Sequence, residues 1–334
     1  MKSLAFFSNL RGAGTTSLVY HLANMFAELG VNVIAIDLDP QSNLSSAFLS
    51  DSEMERLWAD PNNPNTIEHA IQPVQDREGD VRSPHVERVD DHIGLIAGDL
   101  QLSLFEDRLA VAWGACLDDN LSTRKDAIRA VTSFYRIMLD AAKQHDAELV
   151  LVDVGPNLGA MNRAVLVSSD FVVVPLAADL FSLHGLRNLG PTLRDWRASW
   201  ATRVKGNDPS WGMAMPSGKM SPIGYIIMQP VLRENYPVKA FRKWTARIPM
   251  LYAEKMLASP LEIDIEPEVD PNRLATLKNY RSLAPFSHDA RKPMFMLTPA
   301  DGAVGGHVNA VKDCFEDFKK LAVNIAGRCG IALP

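Results

Sequence analysis

The chain has 334 residues, 47% of them apolar, and a formal net charge of −6. That is enough apolar material for one large packed domain, and the acidic balance excludes a wholly basic nucleic-acid binder while leaving room for a local positive patch. Cys116, Cys314 and Cys329 are scattered without a C-x-x-C pair, which argues against a disulfide framework or a zinc site, and no apolar run approaches a membrane span, so a soluble, cytoplasmic protein that does not engage a membrane is expected.

In chain order, Leu4 to Ser8 reads as a short buried strand and Ser17 to Leu29 as an apolar-faced helix. Between them lies Asn9-Leu10-Arg11-Gly12-Ala13-Gly14-Thr15-Thr16-Ser17. A glycine-rich turn running into a helix start aims several backbone N–H groups at one spot, where the helix dipole favours an anion. A nucleoside triphosphate would sit there, yet the loop has no lysine. The next strand, Val31 to Ile36, leads into Asp37-Leu38-Asp39-Pro40-Gln41. Alternate residues at a strand end point to one side, so Asp37 and Asp39 are both placed to face a metal or an attacking water. Residues 51–91 are rich in Pro, Asn, Asp and Glu and read as a long surface excursion with at most one short helix.

Ile93 to Ala97 and Leu149 to Val152 are further apolar strands, the second ending in Asp153-Val154-Gly155-Pro156-Asn157-Leu158-Gly159. An acid capping an apolar strand beside a phosphate loop is placed to hold Mg²⁺ through water. Phe171 to Pro175 and Ile223 to Met228 complete the strands, separated by a helical stretch and a second excursion at 205–221. Strands without polar alternation are those buried on both faces. The expected architecture is therefore α/β: a single domain over 1–334, with a mostly parallel twisted sheet flanked by helices and a ligand beyond the strands' carboxyl ends. Lys239, Arg242, Lys243 and Arg247 then recur at helical spacing around Trp244, whose ring is expected to anchor in the core. The last helix, about 307–326, carries Phe315, Phe318, Leu321 and Val323 beside Asp313, Glu316 and Asp317. Such an acidic amphipathic helix packs on its own sheet and not on anionic lipid.

A dinucleotide site is a rival for the first turn, since Gly12-x-Gly14 follows a strand and Asp37 comes about twenty residues later. The third glycine of that fingerprint is missing, and Asp39-Pro40-Gln41 and the Asp153 segment have no part in it. These segments instead resemble the ParA/MinD/Soj family of deviant-Walker ATPases, with a P-loop NTPase fold and a loop reading K-G-G-V-G-K-T-T. Asp37 to Gln41 matches the family's D-x-D-P-Q, Asp153 to Leu158 is similar to its D-T-P-P-S-L, and Asp170 to Leu186 is similar to the segment that follows.

The resemblance implies ATP and Mg²⁺ as cofactors. It assigns Arg11, Gly12, Ala13, Gly14, Thr15, Thr16 and Ser17 to the phosphates, Gln229 and Pro230 to the adenine, and Thr16, Asp37 and Asp153 to the metal. Asp39 becomes the water-orienting, catalytic carboxylate. It also implies a homodimer or a pairing with another ParA-like subunit, a ParB-like or cargo adaptor partner, and non-specific DNA binding through Lys239, Arg242, Lys243 and Arg247. The chain departs from the pattern in one respect: Thr15 stands where the phosphate-binding lysine belongs, and Leu10 where the signature lysine belongs. With Arg11 as the nearest cation, three readings follow. One is a partition, positioning or regulatory protein with a degenerate nucleotide site. Another is an active ATP-dependent dimerisation switch, and the third is a nucleotide-independent interaction protein in which the glycines merely keep a turn.

Overall fold

The structure is a computed structural model that describes the chain except residues 9, 11, 61–63, 230–237, 264 and 281, and gives only the backbone of 238–240. Strand β1 (Lys2–Phe6) runs into helix α1 (Thr15–Glu28), and β2 (Val33–Leu38) is followed by α2 (Asn43–Phe48), α3 (Asp51–Leu57), α4 (Ile67–Gln75) and β3 (Glu87–Arg88). Then come β4 (Ile93–Ile96), α5 (Phe105–Ala115), α6 (Leu121–Val131), α7 (Ser133–Gln144), β5 (Leu149–Val154), α8 (Ala160–Ser168), β6 (Phe171–Ala177) and α9 (Leu180–Val204). The chain closes with β7 (Ser221–Met228), α10 (Val238–Thr245), α11 (Ile248–Lys255), β8 (Arg273–Leu277), α12 (Ala284–Ala290) and α13 (Gly306–Cys329).

The strands form one sheet in the order β3-β4-β2-β5-β1-β6-β7-β8. Every neighbouring pair is parallel except β3 with β4. Side-chain alternation divides the core into two layers. Ile34, Ile36, Val150 and Val152 face the layer covered by α4 to α9 and α11. Val33, Ala35, Leu149 and Leu151 face the layer under α1 and α13. The same parity carries Asp37 and Asp153 to the α1 side, and the register pairs them directly with each other and sets Asp153 beside Phe6. Sheet pairing, more than sequence proximity, thus brings the first loop and the two carboxylates to one end of the sheet.

Two expectations need correction. The 51–91 excursion holds two helices and a strand, and α4 is part of the core through Ile67, Ala70, Ile71 and Val74. Pro73 inside α4 makes the segment read as a loop, because proline breaks the i−4 hydrogen bond. The freed carbonyl of His69 instead accepts from the Arg82 guanidinium at 3.4 Å. In α13 the buried stripe is Cys314, Phe318, Leu321, Ala322, Ile325 and Ala326, while Val323 is exposed. The helix does pack on its own sheet, against β8 and α1. Among the described residues, no helix is long and apolar enough to cross a membrane.

Candidate functional site

The first turn closes because Gly12 and Gly14 adopt φ of 77° and 81°, values that carry no penalty only for glycine. Gly14 is the residue before α1, and no side chain caps the helix start. Its first N–H groups are therefore free to meet an external acceptor. A Cβ at Gly14 would stand 3.2 Å from the Met228 methyl, so the turn also lies tight against the end of β7.

Two cavities meet at Gly12. One, of about 400 Å³, is lined by Leu10, Thr15, Thr16, Asp39, Gln41, Gly155 and Asn157 among others. The other, of about 470 Å³, runs from Ala13, Gly14 and Ser17 to Met228, Gln229, Lys278, Asn279, Tyr280 and Phe318. Together they make a cleft across the carboxyl ends of β1, β2, β5, β7 and β8, where a parallel sheet places ligands.

The acids at this end of the sheet differ in their surroundings, and of the three only Asp39 lines the cleft. Asp37 is fully buried, with Oδ2 accepting from the Ser45 N–H at 2.8 Å and the Ser45 hydroxyl at 2.7 Å. Burial pushes its carboxyl up to about 6, against the opposing pull of these hydrogen bonds. Asp153 is also fully buried, and neither of its oxygens has a hydrogen-bond partner among the described residues. Its carboxyl is pushed up to about 8, first by desolvation and then by the Asp37 charge. The Thr16 hydroxyl lies close enough to temper that shift without making a well-formed hydrogen bond to either oxygen. Asp39 is half-buried and accepts from the Gln41 N–H at 3.0 Å, so it shapes its own turn while facing the cleft.

A carboxylate buried without partners is costly, and a divalent cation at this spot would relieve it. Asp153, Asp37 and the Thr16 hydroxyl are all oxygen donors, the set Mg²⁺ takes. Among the described residues no three His, Cys, Asp or Glu side chains can hold a metal by themselves.

Some supporting residues were not legible in the sequence. Glu106 of α5 accepts from the N–H groups of Ala160 at 2.6 Å and Met161 at 2.7 Å, capping α8. The Asn162 amide donates to the carbonyls of Gly155 at 2.6 Å and Asn157 at 2.7 Å. Together they fix the loop after Asp153. Glu106 is 54 residues from its partner, and no local pattern announces it. Lys278, Asn279 and Tyr280 directly follow β8 and would have been found had that strand been recognised.

Of the expected phosphate residues, Gly12, Ala13, Gly14, Thr15, Thr16 and Ser17 all line the cleft. Gln229 lines the second cavity, its N–H donating to the Leu277 carbonyl at 3.0 Å. Arg11, Pro230 and the Lys239 side chain lie outside the described residues. Arg242, Lys243 and Arg247 are exposed on α10 and at the start of α11, away from the cleft lining. Lys243 and Arg247 stand 5.1 and 5.6 Å from the Trp244 ring centroid, and Trp244 packs on the core as a partly buried anchor. The three cysteines are buried and free.

A family model described as an AAA domain (AAA_31) matches residues 1–205. The chromosome-partitioning ATPase Soj of Thermus thermophilus is 26% identical over 208 residues, 61% of this chain and 66% of that protein. The matches span 63% of a Methanocaldococcus jannaschii relative and 40% of a putative replication protein A from Rhizobium rhizogenes. The chain thus covers roughly half to two thirds of the length of such relatives. In fold it is similar to protein DIP2308 from Corynebacterium diphtheriae, with a TM-score of 0.68 at 22% identity over 98% of this chain and 99% of that one. It is also similar to the AMPPNP-bound putative plasmid partition protein of Borrelia burgdorferi, with a TM-score of 0.58 at 16% identity over 98% and 99%. On this sheet order, this loop and these matches, the chain belongs to the AAA_31 domain family and is a ParA-like P-loop protein of the ParA/MinD/Soj group.

Proposed function

We propose that this chain is a partition or positioning protein that binds ATP with Mg²⁺ weakly and hydrolyses it slowly or not at all. One observation carries the reading. The cleft sets a turn of backbone donors and Asp39 in one cavity, with Asp37 and Asp153 buried at the strand ends beside it, yet no described residue lining its Thr15 end is a cation. The N–H groups at the start of α1 cradle the phosphates, and Thr15 offers one neutral hydroxyl where the family places an ammonium. Charge-assisted contacts are about twice as strong as neutral ones. Phosphoryl transfer rests on electrostatic stabilisation, so turnover suffers more than binding.

Thr16, Asp37 and Asp153 would hold the metal, which when bound neutralises charge on the phosphate oxygens. Asp39, on the rim of the same cavity, would orient water. The exposed Arg242, Lys243 and Arg247, with Lys239, supply a sequence-indifferent contact to DNA phosphates. A homodimer or a pairing with a ParA-like subunit, and a ParB-like or cargo adaptor, complete the proposed assembly.

Purified protein with Mg²⁺-ATP, with and without duplex DNA, should release little phosphate. Its DNA mobility shift should fade with rising salt and weaken alike on every duplex when Arg242 and Lys243 are changed to Glu. Turnover equal to that of a lysine-bearing relative, and abolished by Asp39→Ala, would refute the enzymatic part. Failure to shift any duplex at low salt with nucleotide present would remove the DNA part.

A further inference from the structure

We propose that Lys278, outside the loop and from the far edge of the sheet, supplies a cation to the phosphate turn, where Thr15 offers none. The inference rests on the nucleotide-binding reading above and assigns that site a positive charge from outside the loop. Among the described residues lining either half of the cleft, Lys278 is the one lysine or arginine. It shares the second cavity with Gly12, Ala13, Gly14 and Ser17, the backbone that would cradle a polyphosphate.

Its position is fixed by the sheet. Leu277, the last residue of β8, pairs in register with Met228, and its carbonyl accepts from the Gln229 N–H at 3.0 Å. The backbone of Lys278 is therefore held on the cleft rim while its side chain is free to swing. At present the ammonium is drawn outward to Asp313 of α13, at 2.9 Å, with the two side chains 54% and 57% exposed. An ion pair so exposed is weak and is readily exchanged for a phosphate, which carries more charge and accepts from several directions. Asp317, one turn further along α13, is occupied by the Tyr280 hydroxyl at 2.6 Å. Asp313 is then the acid that competes with the ligand, and a nucleoside di- or triphosphate draws Lys278 from α13 to the phosphate turn.

The experiment is calorimetric titration of the full chain with AMPPNP and Mg²⁺ at low and high salt, alongside Lys278→Met, Lys278→Arg and Asp313→Asn. Lys278→Met should bind on the order of tenfold more weakly and lose part of its salt dependence. Lys278→Arg should stay within about twofold, and Asp313→Asn should bind up to about fivefold more tightly, the range of an exposed ion pair. Melting midpoints without nucleotide should agree among all four proteins, so that lost binding is not lost folding. Unchanged affinity in Lys278→Met overturns the inference while leaving the nucleotide reading intact. So does a tenfold loss with the salt dependence untouched, which would place Lys278 on the base. If the natural chain does not bind AMPPNP at all, the nucleotide reading falls and the inference with it.

Discussion

Replacing Thr15 by lysine tests the electrostatics of the site most directly. Thr15 is the first residue of α1 and is half-buried at the mouth of the 400 Å³ cavity, so an ammonium on a four-carbon stem enters that cavity without displacing core. A charge-assisted contact to phosphate contributes about 1.5–3 kcal/mol. Part of that is already spent in the free variant, where the new ammonium faces Asp39 across the same cavity in a partly solvated setting. The net gain should be about 1–2 kcal/mol, or roughly five- to thirtyfold in affinity. Calorimetric titration with AMPPNP and Mg²⁺ measures it, with melting curves of both proteins as a folding control. Equal or weaker binding by a well-folded Thr15→Lys protein would refute the reasoning, because it would mean that the turn has closed or that another cation already saturates the site. If Lys278 serves the same phosphates, adding Thr15→Lys should also shrink the effect of Lys278→Met, since two cations on one polyphosphate are not independent.

Two further outcomes concern stability. His21 is fully buried, and its imidazole is lowered from 6.5 to about 4, chiefly by desolvation. Its Nδ1–H donates to the Ser17 carbonyl at 2.7 Å and its Nε2 accepts from the Met294 N–H at 3.2 Å. Because the folded value lies below the unfolded one, the contribution is present above pH 6.5 and is lost as pH falls toward 4, by up to about 3 kcal/mol. Buried Glu68, raised to about 7, acts with the opposite sign, so the natural chain should be compared with His21→Gln by urea unfolding from pH 7 to 4.5; a gap between them that stays constant with pH would refute the assignment. Gly190 in α9 lies against the end of α11, where an added Cβ would meet the Lys255 carbonyl and stand 3.0 Å from the Met256 nitrogen. Gly190→Ala should lower the unfolding free energy by about 1–3 kcal/mol, read as a lower urea midpoint at unchanged slope, and an unaltered midpoint would show that the two helices part without cost.

The central fold was legible because its strands are buried on both faces. Val33 to Leu38 and Leu149 to Val154 are buried at every position, and such runs leave little room for another reading. The edges were harder. β8 exposes part of its side chains and pairs with β7 alone, so its sequence Arg-Leu-Ala-Thr-Leu carries a weaker pattern. β3 has two residues and is defined by its partner more than by itself. The same division runs through the site. Asp37, Asp39 and Asp153 stand at ends of central strands and were visible, whereas Lys278 stands after an edge strand and Glu106 reaches its partners through tertiary packing.

That the turn keeps its shape with threonine at position 15 follows from what holds it in place. Gly12 and Gly14 supply the left-handed backbone, Met228 closes on Gly14 from β7, and α1 is anchored by Leu18, Val19, Leu22 and Phe26 in the core. None of these contacts involves the side chain at position 15, which faces the cleft. The carboxylates are held just as independently: Asp37 by Ser45, and Asp153 by its place in β5. Folding thus keeps the turn and the three carboxylates at one end of the sheet whatever side chain stands at position 15. Burial first, and then the Asp37 charge, raise the proton affinity of Asp153. On the proposed reading, a polyphosphate entering the cleft brings more negative charge, and its binding would draw on positive charge beyond position 15: the metal carried with the nucleotide, and Lys278 from the edge strand of the sheet.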